Sequence, residues 1–194
     1  MAADDPDIAD LLKQLEGAAD PAARCALLHK LVGRVWVFDL SLALTYAEES
    51  VAVARAHGLP REEAGSNLWA ARALRLLGRY EAAEQKLLEV RDAFMTLGDR
   101  EAAGLATRTL SALYLDLGLL EQALDFNREA LAIFEESGNQ EYYCLALLEC
   151  ADVFKSRQEF DEALTILGNA RRRLETIGAD VRDKVQWLPF MYTR

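Results

Sequence analysis

The stretch LGLLEQALDF, Leu117 to Phe126, reads by itself as the start of an ordinary soluble helix, with leucines and an alanine set among Glu121, Gln122 and Asp125. Shifting the chain against itself by forty residues changes that reading. LGRYEAAEQK (77–86) lies one shift upstream and RQEFDEALTI (157–166) one shift downstream, so the stretch is one copy of a repeat. Glycine keeps the same period: AHGLP, TLGDR, ESGNQ and TIGAD place Gly58, Gly98, Gly138 and Gly178 forty residues apart without a slip. Each follows a helical pattern and precedes an Asp, Asn or Pro-containing start, which predicts a left-handed C-terminal cap and then a new helix.

A second column falls at Ala43, Ala83, Ala123 and Ala163, where two helices must approach closely enough to exclude a larger side chain. Further small or apolar columns are Leu31, Ala71, Ser111 and Ala151, then Ala54, Phe94, Phe134 and Leu174, then Leu74, Tyr114 and Phe154. Each period breaks before its alanine, at LGRY (77–80), LGLL (117–120) and RQEF (157–160), and so divides into two antiparallel helices. Apolar residues recur at helical spacing on either side of the break: Leu110, Leu113, Tyr114 and Leu117, then Leu120, Ala123, Leu124, Leu131 and Phe134. The pattern predicts helices over 5–16, 21–35, 38–57, 61–77, 80–97, 101–117, 120–137, 141–157 and 160–177, with a short one from about 180. Strand signals are lacking. Asp5 followed by Pro6 is the start signal of the first helix.

Composition bounds the function. The chain has 194 residues, 52% of them hydrophobic, which is ample for a packed core. No apolar run reaches the roughly 18 residues that a membrane span needs. Residues 1–10, with four aspartates and no basic residue, are the opposite of a secretory signal, so the expected location is cytoplasmic. A net charge of −10 argues against nucleic acid and anionic membranes as partners. The N-terminal twenty residues are acidic and 171–194 are basic, as befits two solvated ends or an end-to-end contact. Cys25, Cys144 and Cys150 form neither a disulfide pattern nor a metal-ligand spacing and read as buried thiols.

These features resemble tetratricopeptide repeats of the long, roughly forty-residue variety found in bacterial regulators and some eukaryotic scaffolds. The signature is carried by Ala71, Leu74, Gly78, Tyr80, Ala83 and Val90, and again by Ser111, Tyr114, Gly118, Leu120, Ala123 and Ala130. The fourth copy keeps Ala151, Phe154, Phe160, Ala163 and Ala170 but has Gln158 at the turn glycine. The first keeps Leu31, Ala43 and Ala54 but has Arg34 where an aromatic or leucine is expected. The resemblance implies an all-α, right-handed superhelix (an α-solenoid) of antiparallel helix pairs forming a single domain. It would comprise an N-terminal capping helix (1–20), repeats at 21–60, 61–100, 101–140 and 141–180, and a cap or truncated fifth repeat at 181–194.

It further implies a concave groove, lined by the first helix of each pair, that binds a peptide or helix. The lining expected here is Leu68, Arg72 and Arg75; Leu105, Arg108, Ala112 and Leu115; Leu145, Leu148, Asp152 and Lys155. An apolar strip with arginines at its middle suits an acidic, partly hydrophobic protein segment, with Arg72, Arg75 and Arg108 on its carboxylates. The alternative is that these arginines are solvated or paired with neighbouring glutamates. The family branch that clamps a terminal carboxylate uses Lys and Asn where this chain has Leu28 and Val32, which argues against that function.

Catalytic chemistry finds little support. His29 and His57 lie in helical patterns without evident partners, and Glu62, Glu63, Glu81, Glu135 and Glu136 read as solvated faces. Trp36, Trp69, Tyr142 and Tyr143 have the spacing of core aromatics as well as that of a groove rim. The expected protein is therefore a non-enzymatic interaction scaffold without cofactor or metal. Two alternatives are the sensory region of a larger bacterial signalling protein, whose output domain would be a nucleotide cyclase or DNA-binding regulator, and a stand-alone enzyme. The segment from Trp187 to Tyr192, interrupted by Pro189, has three readings: a cap on the fourth repeat, a homodimer contact, or the continuation of a longer chain. The N-terminal helix, with Ile8, Leu11, Leu12 and Leu15 on one side, either caps the first repeat or occupies the groove; capping is the expectation.

Overall fold

The computed structural model describes residues 6–176, which form nine helices and no strand. They are α1 (Pro6–Gly17), α2 (Pro21–Val35), α3 (Leu40–Ala56), α4 (Pro60–Leu76), α5 (Tyr80–Thr96), α6 (Arg100–Asp116), α7 (Leu120–Ser137), α8 (Gln140–Ser156) and α9 (Phe160–Thr176). The expected helices coincide with these apart from small shifts at their ends. The expected helix from about 180, the cap or fifth repeat at 181–194, Gly178 and Asp5 lie outside the described residues.

The turns explain the period. Asp20 accepts a hydrogen bond from the Ala23 amide at 2.8 Å, and Asp39 does the same for Leu42 at 2.9 Å, so α2 and α3 start on side-chain caps. At the end of α3, Gly58 takes φ +63°. Its amide donates to the Arg55 carbonyl while that of Leu59 donates to Ala54, the paired bonds of a Schellman stop. Gly78, Gly98 and Gly118 repeat this arrangement. Gln158 does so as well, at φ +64°, so the repeat's geometry overrides the residue's own preference.

The helices fall into two compact units, one up to Asp99 and the other from Arg100. In the first, α1 packs on α2 and each later helix packs on its predecessor, while the two first helices α2 and α4 also touch. Leu28, Leu31, Val32, Val35, Ala43, Ala47 and Leu87 are sealed from solvent there. In the second, α6 to α9 pack in sequence and α6 touches α8. Ala123 and Leu124 meet Cys150 and Val153, and Ala130, Ile133 and Phe134 meet Ala146. Each fully buried leucine or phenylalanine contributes about 1.5–3 kcal/mol, and this burial stabilises helices too short to persist alone.

The small columns are close contacts. Ala43, Ala83 and Ala123 are fully buried and Ala163 nearly so. Ser111 fits its column because its hydroxyl donates to the Ala123 carbonyl at 2.8 Å, which satisfies a buried polar group. Gly104 marks a tighter approach: a Cβ there would stand 2.8 Å from Ile133 Cγ2 and 2.9 Å from Phe134 Cε1.

Candidate functional site

The first helices α2 and α4 of the first unit share a face built on a sealed floor. Leu28 and Val32 of α2 are fully buried, and Leu68 of α4 is nearly so. Trp36, just past α2, and Trp69 of α4 meet edge to face, ring centroids 5.4 Å apart and planes at 71°. The Arg72 guanidinium lies over the Trp69 ring, 5.4 Å from its centroid, and the side chain is half-buried. Arg75, one turn further along α4, is buried at 7% exposure. Arginine, aromatic ring and second ring thus form one stack, with cation–π attraction orienting the guanidinium. The helix α2 has no acidic residue, and α4 has only Glu62 and Glu63 in its first turn.

Polar groups at the other end of this face are tied together. His29 Nε2 lies 2.8 Å from Ser66 Oγ, Ser50 Oγ also lies 2.8 Å from it, and the Ser66 hydroxyl donates to the Glu62 carbonyl at 2.7 Å. With its proton given to that carbonyl, Ser66 accepts from both neighbours, which fixes the proton of neutral His29 on Nε2. Burial lowers the His29 pKa, against a smaller opposing pull from the Glu62 charge. His57 sits apart on α3's C-terminus, Nδ1 2.9 Å from the Val53 carbonyl.

The second unit is electrostatically different. Arg108 of α6 is buried at 4% exposure, and its Nη1 donates to Glu149 Oε1 of α8 at 2.5 Å. Asp152 and Lys155, both exposed on α8, pair with each other. Ala112 and Leu145 are buried. Leu148 is half-buried, Leu105 packs beside the Ala130–Phe134 cluster, and Leu115 beside the Ala123 cluster. The three arginines expected to read carboxylates therefore lie in two settings: Arg72 and Arg75 on the first unit's α4, and Arg108 on the second, held by a glutamate.

Among the aromatics, Tyr142 tilts against Phe134 at 5.4 Å, and Arg173 lies 4.0 Å from the Tyr143 centroid. Burial raises the thiol pKa values of Cys144 and Cys150, opposed by the charges of Arg173 and Arg128 respectively, which leaves both as poor nucleophiles. Among the described residues no group of three or more His, Cys, Asp or Glu side chains could hold a metal ion, and no helix is long and apolar enough to cross a membrane.

Short antiparallel pairs with left-handed stops and a small-residue column define a helix-pair repeat protein. More particularly, residues 62–136 match the family model described as Tetratricopeptide repeat. Solved structures agree on the fold. A Rap protein complexed with Competence and Sporulation Factor is 17% identical with a TM-score of 0.79, over 91% of this chain and 50% of its own. Aspartyl phosphate phosphatase F from Bacillus subtilis is 14% identical with a TM-score of 0.76, over 91% of this chain and 47% of its own. BtubC (BKLC) from P. vanneervenii is 19% identical with a TM-score of 0.65, over 82% of this chain and 66% of its own. The chain thus spans about half the length of the two former proteins. No curated protein matches it.

Proposed function

We propose that the protein is a non-catalytic cytoplasmic scaffold that binds an acidic, partly hydrophobic segment of another protein on its first-helix faces. The carrying observation is the Arg72–Trp69–Trp36 stack on helices α2 and α4, in a protein of net charge −10. A carboxylate approaching Arg72 meets a guanidinium oriented by the ring beneath it, and charge-assisted bonds at a partly desolvated site are the strong ones. Arg75 supplies further positive potential and Leu68 the apolar floor. On the second unit Glu149 and Lys155 balance the charges of Arg108 and Asp152, so the half-buried Leu105, Leu115 and Leu148 offer apolar contacts there, with Ala112 and Leu145 buried. The test is an array of one amphipathic peptide in Glu, Gln and Lys versions. Wild type should retain the Glu version preferentially, Arg72→Glu should weaken it at least tenfold, and equal retention by both proteins overturns the reading.

A second reading is the sensory region of a longer signalling protein. It is favoured by the chain's spanning half of a Rap protein that is itself solved with a bound factor. An in-frame output domain encoded beyond Arg194 supports it, and an immediate stop codon removes it.

A further inference from the structure

The seam between α7 and α8 is built differently from the other helix contacts. Asn127 of α7 is fully buried in a column that holds Ala47, Leu87 and Leu167 elsewhere. Its Nδ2 donates to the Ala146 carbonyl of α8 at 3.0 Å, while among the described residues no protein donor reaches its Oδ1. A buried carbonyl with one side unmet subtracts from the stability of the contact that encloses it.

The turn joining these helices is looser as well. After α3 and α5 the residue following the glycine closes the stop with a backbone bond of 2.9 Å, Leu59 to Ala54 and Asp99 to Phe94. After α7, Gly138 keeps its bond to Glu135 at 3.2 Å, but the Phe134 carbonyl receives the Ser137 hydroxyl at 3.2 Å. The Asn139 amide donates to that hydroxyl at 3.4 Å, so a side-chain relay replaces the closing bond. Asn139 also caps α8 through the Tyr142 amide at 3.0 Å, so α8 carries its own start with it. Helices α8 and α9 are firmly joined to each other. Arg173 of α9 lies 4.0 Å from the Tyr143 ring centroid and donates to Gln140 at 3.0 Å, and the Cys144 thiol lies 3.9 Å from the Ala170 carbonyl. Across the seam, Asn139 Nδ2 donates to Glu101 at 3.0 Å, and ion pairs link Arg157 to Glu121 at 3.1 Å, Arg173 to Glu135 at 3.4 Å and Arg108 to Glu149 at 2.5 Å.

We propose that α8 and α9 open from α7 together, as one body turning about Ser137–Asn139, with the ion pairs as its latch. Asn127 sets how readily the seam parts, and the solvent-reaching pairs of Arg157 and Arg173 make the opening sensitive to salt. The motion gives the second unit's face a moving part whichever partner it takes.

The natural cysteines report on it. Cys150 lies in the seam, packed with Leu124 and acted on by the Arg128 charge of α7, whereas Cys144 lies between α8 and α9, acted on by the Arg173 charge. Cys25 is buried in the first unit. The experiment is pulsed alkylation of the full-length chain with N-ethylmaleimide, read cysteine by cysteine by mass spectrometry. Cys150 should react about tenfold faster than Cys144 or Cys25, because a local opening lies below the global one in free energy. It should react faster still when salt is raised from about 0.1 to 1 M, where the screening length falls from about 10 to 3 Å. Cys150 keeps 8% exposure in the closed form, so Asn127→Leu is the deciding arm. Giving the seam the residue of position 87 should slow Cys150 about tenfold and leave Cys25 as it was. An unchanged Cys150 rate in that variant overturns the proposal. So does Cys144 reacting as early as Cys150, which would mean that α9 peels away alone, or one rate for all three cysteines, which would mean global unfolding. Hydrogen exchange gives a second readout on the intact chain: protection should drop in one step between α7 and α8 and be shared by α8 and α9. A gradual decline toward residue 176 would count against a single body and overturn it.

Discussion

Replacing Arg108 by methionine should be among the more damaging single changes in the second unit. The side chains of Arg108 and Glu149 are exposed by only 5% and 15%, and the pair joins α6 to α8. Removing one partner of a buried pair leaves an uncompensated charge, at a cost of about 3–5 kcal/mol. Glu149's remaining contact with solvent favours the lower part of that range. Removing both charges is a different perturbation: Arg108→Met with Glu149→Leu deletes the desolvation cost along with the attraction. The double variant should therefore lie within about 1 kcal/mol of wild type, or above it. The assay is urea unfolding of the four proteins of the cycle, followed by far-ultraviolet circular dichroism, with the coupling energy taken as the departure from additivity. A coupling of roughly 2 kcal/mol or more is expected. A double variant as unstable as the two single losses summed would refute the reasoning, because it would mean that the side chains are held by other contacts and not by each other.

Three further outcomes follow from single positions. Gln158→Gly should stabilise the protein by about 1 kcal/mol, seen as a higher melting temperature, because it relieves a left-handed φ of +64° in a turn where the second and third repeats use Gly78 and Gly118. Gly104→Ala should cost about 1–3 kcal/mol in urea unfolding, since the new methyl must displace Ile133 or the Phe134 ring. His29 should make stability sensitive to acid. Burial depresses its folded pKa below the ordinary 6.5, so its contribution is fully present above that value and is lost as pH falls through the folded one. The melting temperature of wild type should fall more between pH 7.5 and 5.5 than that of His29→Gln, and parallel losses would contradict this.

The repeat was legible because backbone geometry left marks that composition does not blur. Left-handed stops demand glycine, so Gly58, Gly98 and Gly138 display the period directly, and close helix approach demands alanine at 43, 83, 123 and 163. Gln158 departs from Gly78 and Gly118 in residue type but not in conformation. The site was legible only as a stripe. Spacing placed Arg72, Arg75 and Arg108 on first helices, but could not show that Arg108 meets Glu149. Glu149 lies 41 residues from Arg108, in the column adjacent to its own, and packing between first helices brings those columns together. The Trp36–Trp69 contact has the same origin. Trp36 lies just beyond the end of α2, and its place on α4 depends on how the two helices are stacked, which no local pattern encodes.

The most direct test of the proposed function is calorimetric titration of the best-retained acidic peptide into three full-length proteins: wild type, Arg72→Glu, and Arg108→Met with Glu149→Leu. Arg72→Glu should lose at least tenfold in affinity while the double variant binds within about twofold of wild type, since roughly 1.4 kcal/mol corresponds to each factor of ten. Undiminished binding by Arg72→Glu, or loss confined to the double variant, would contradict it.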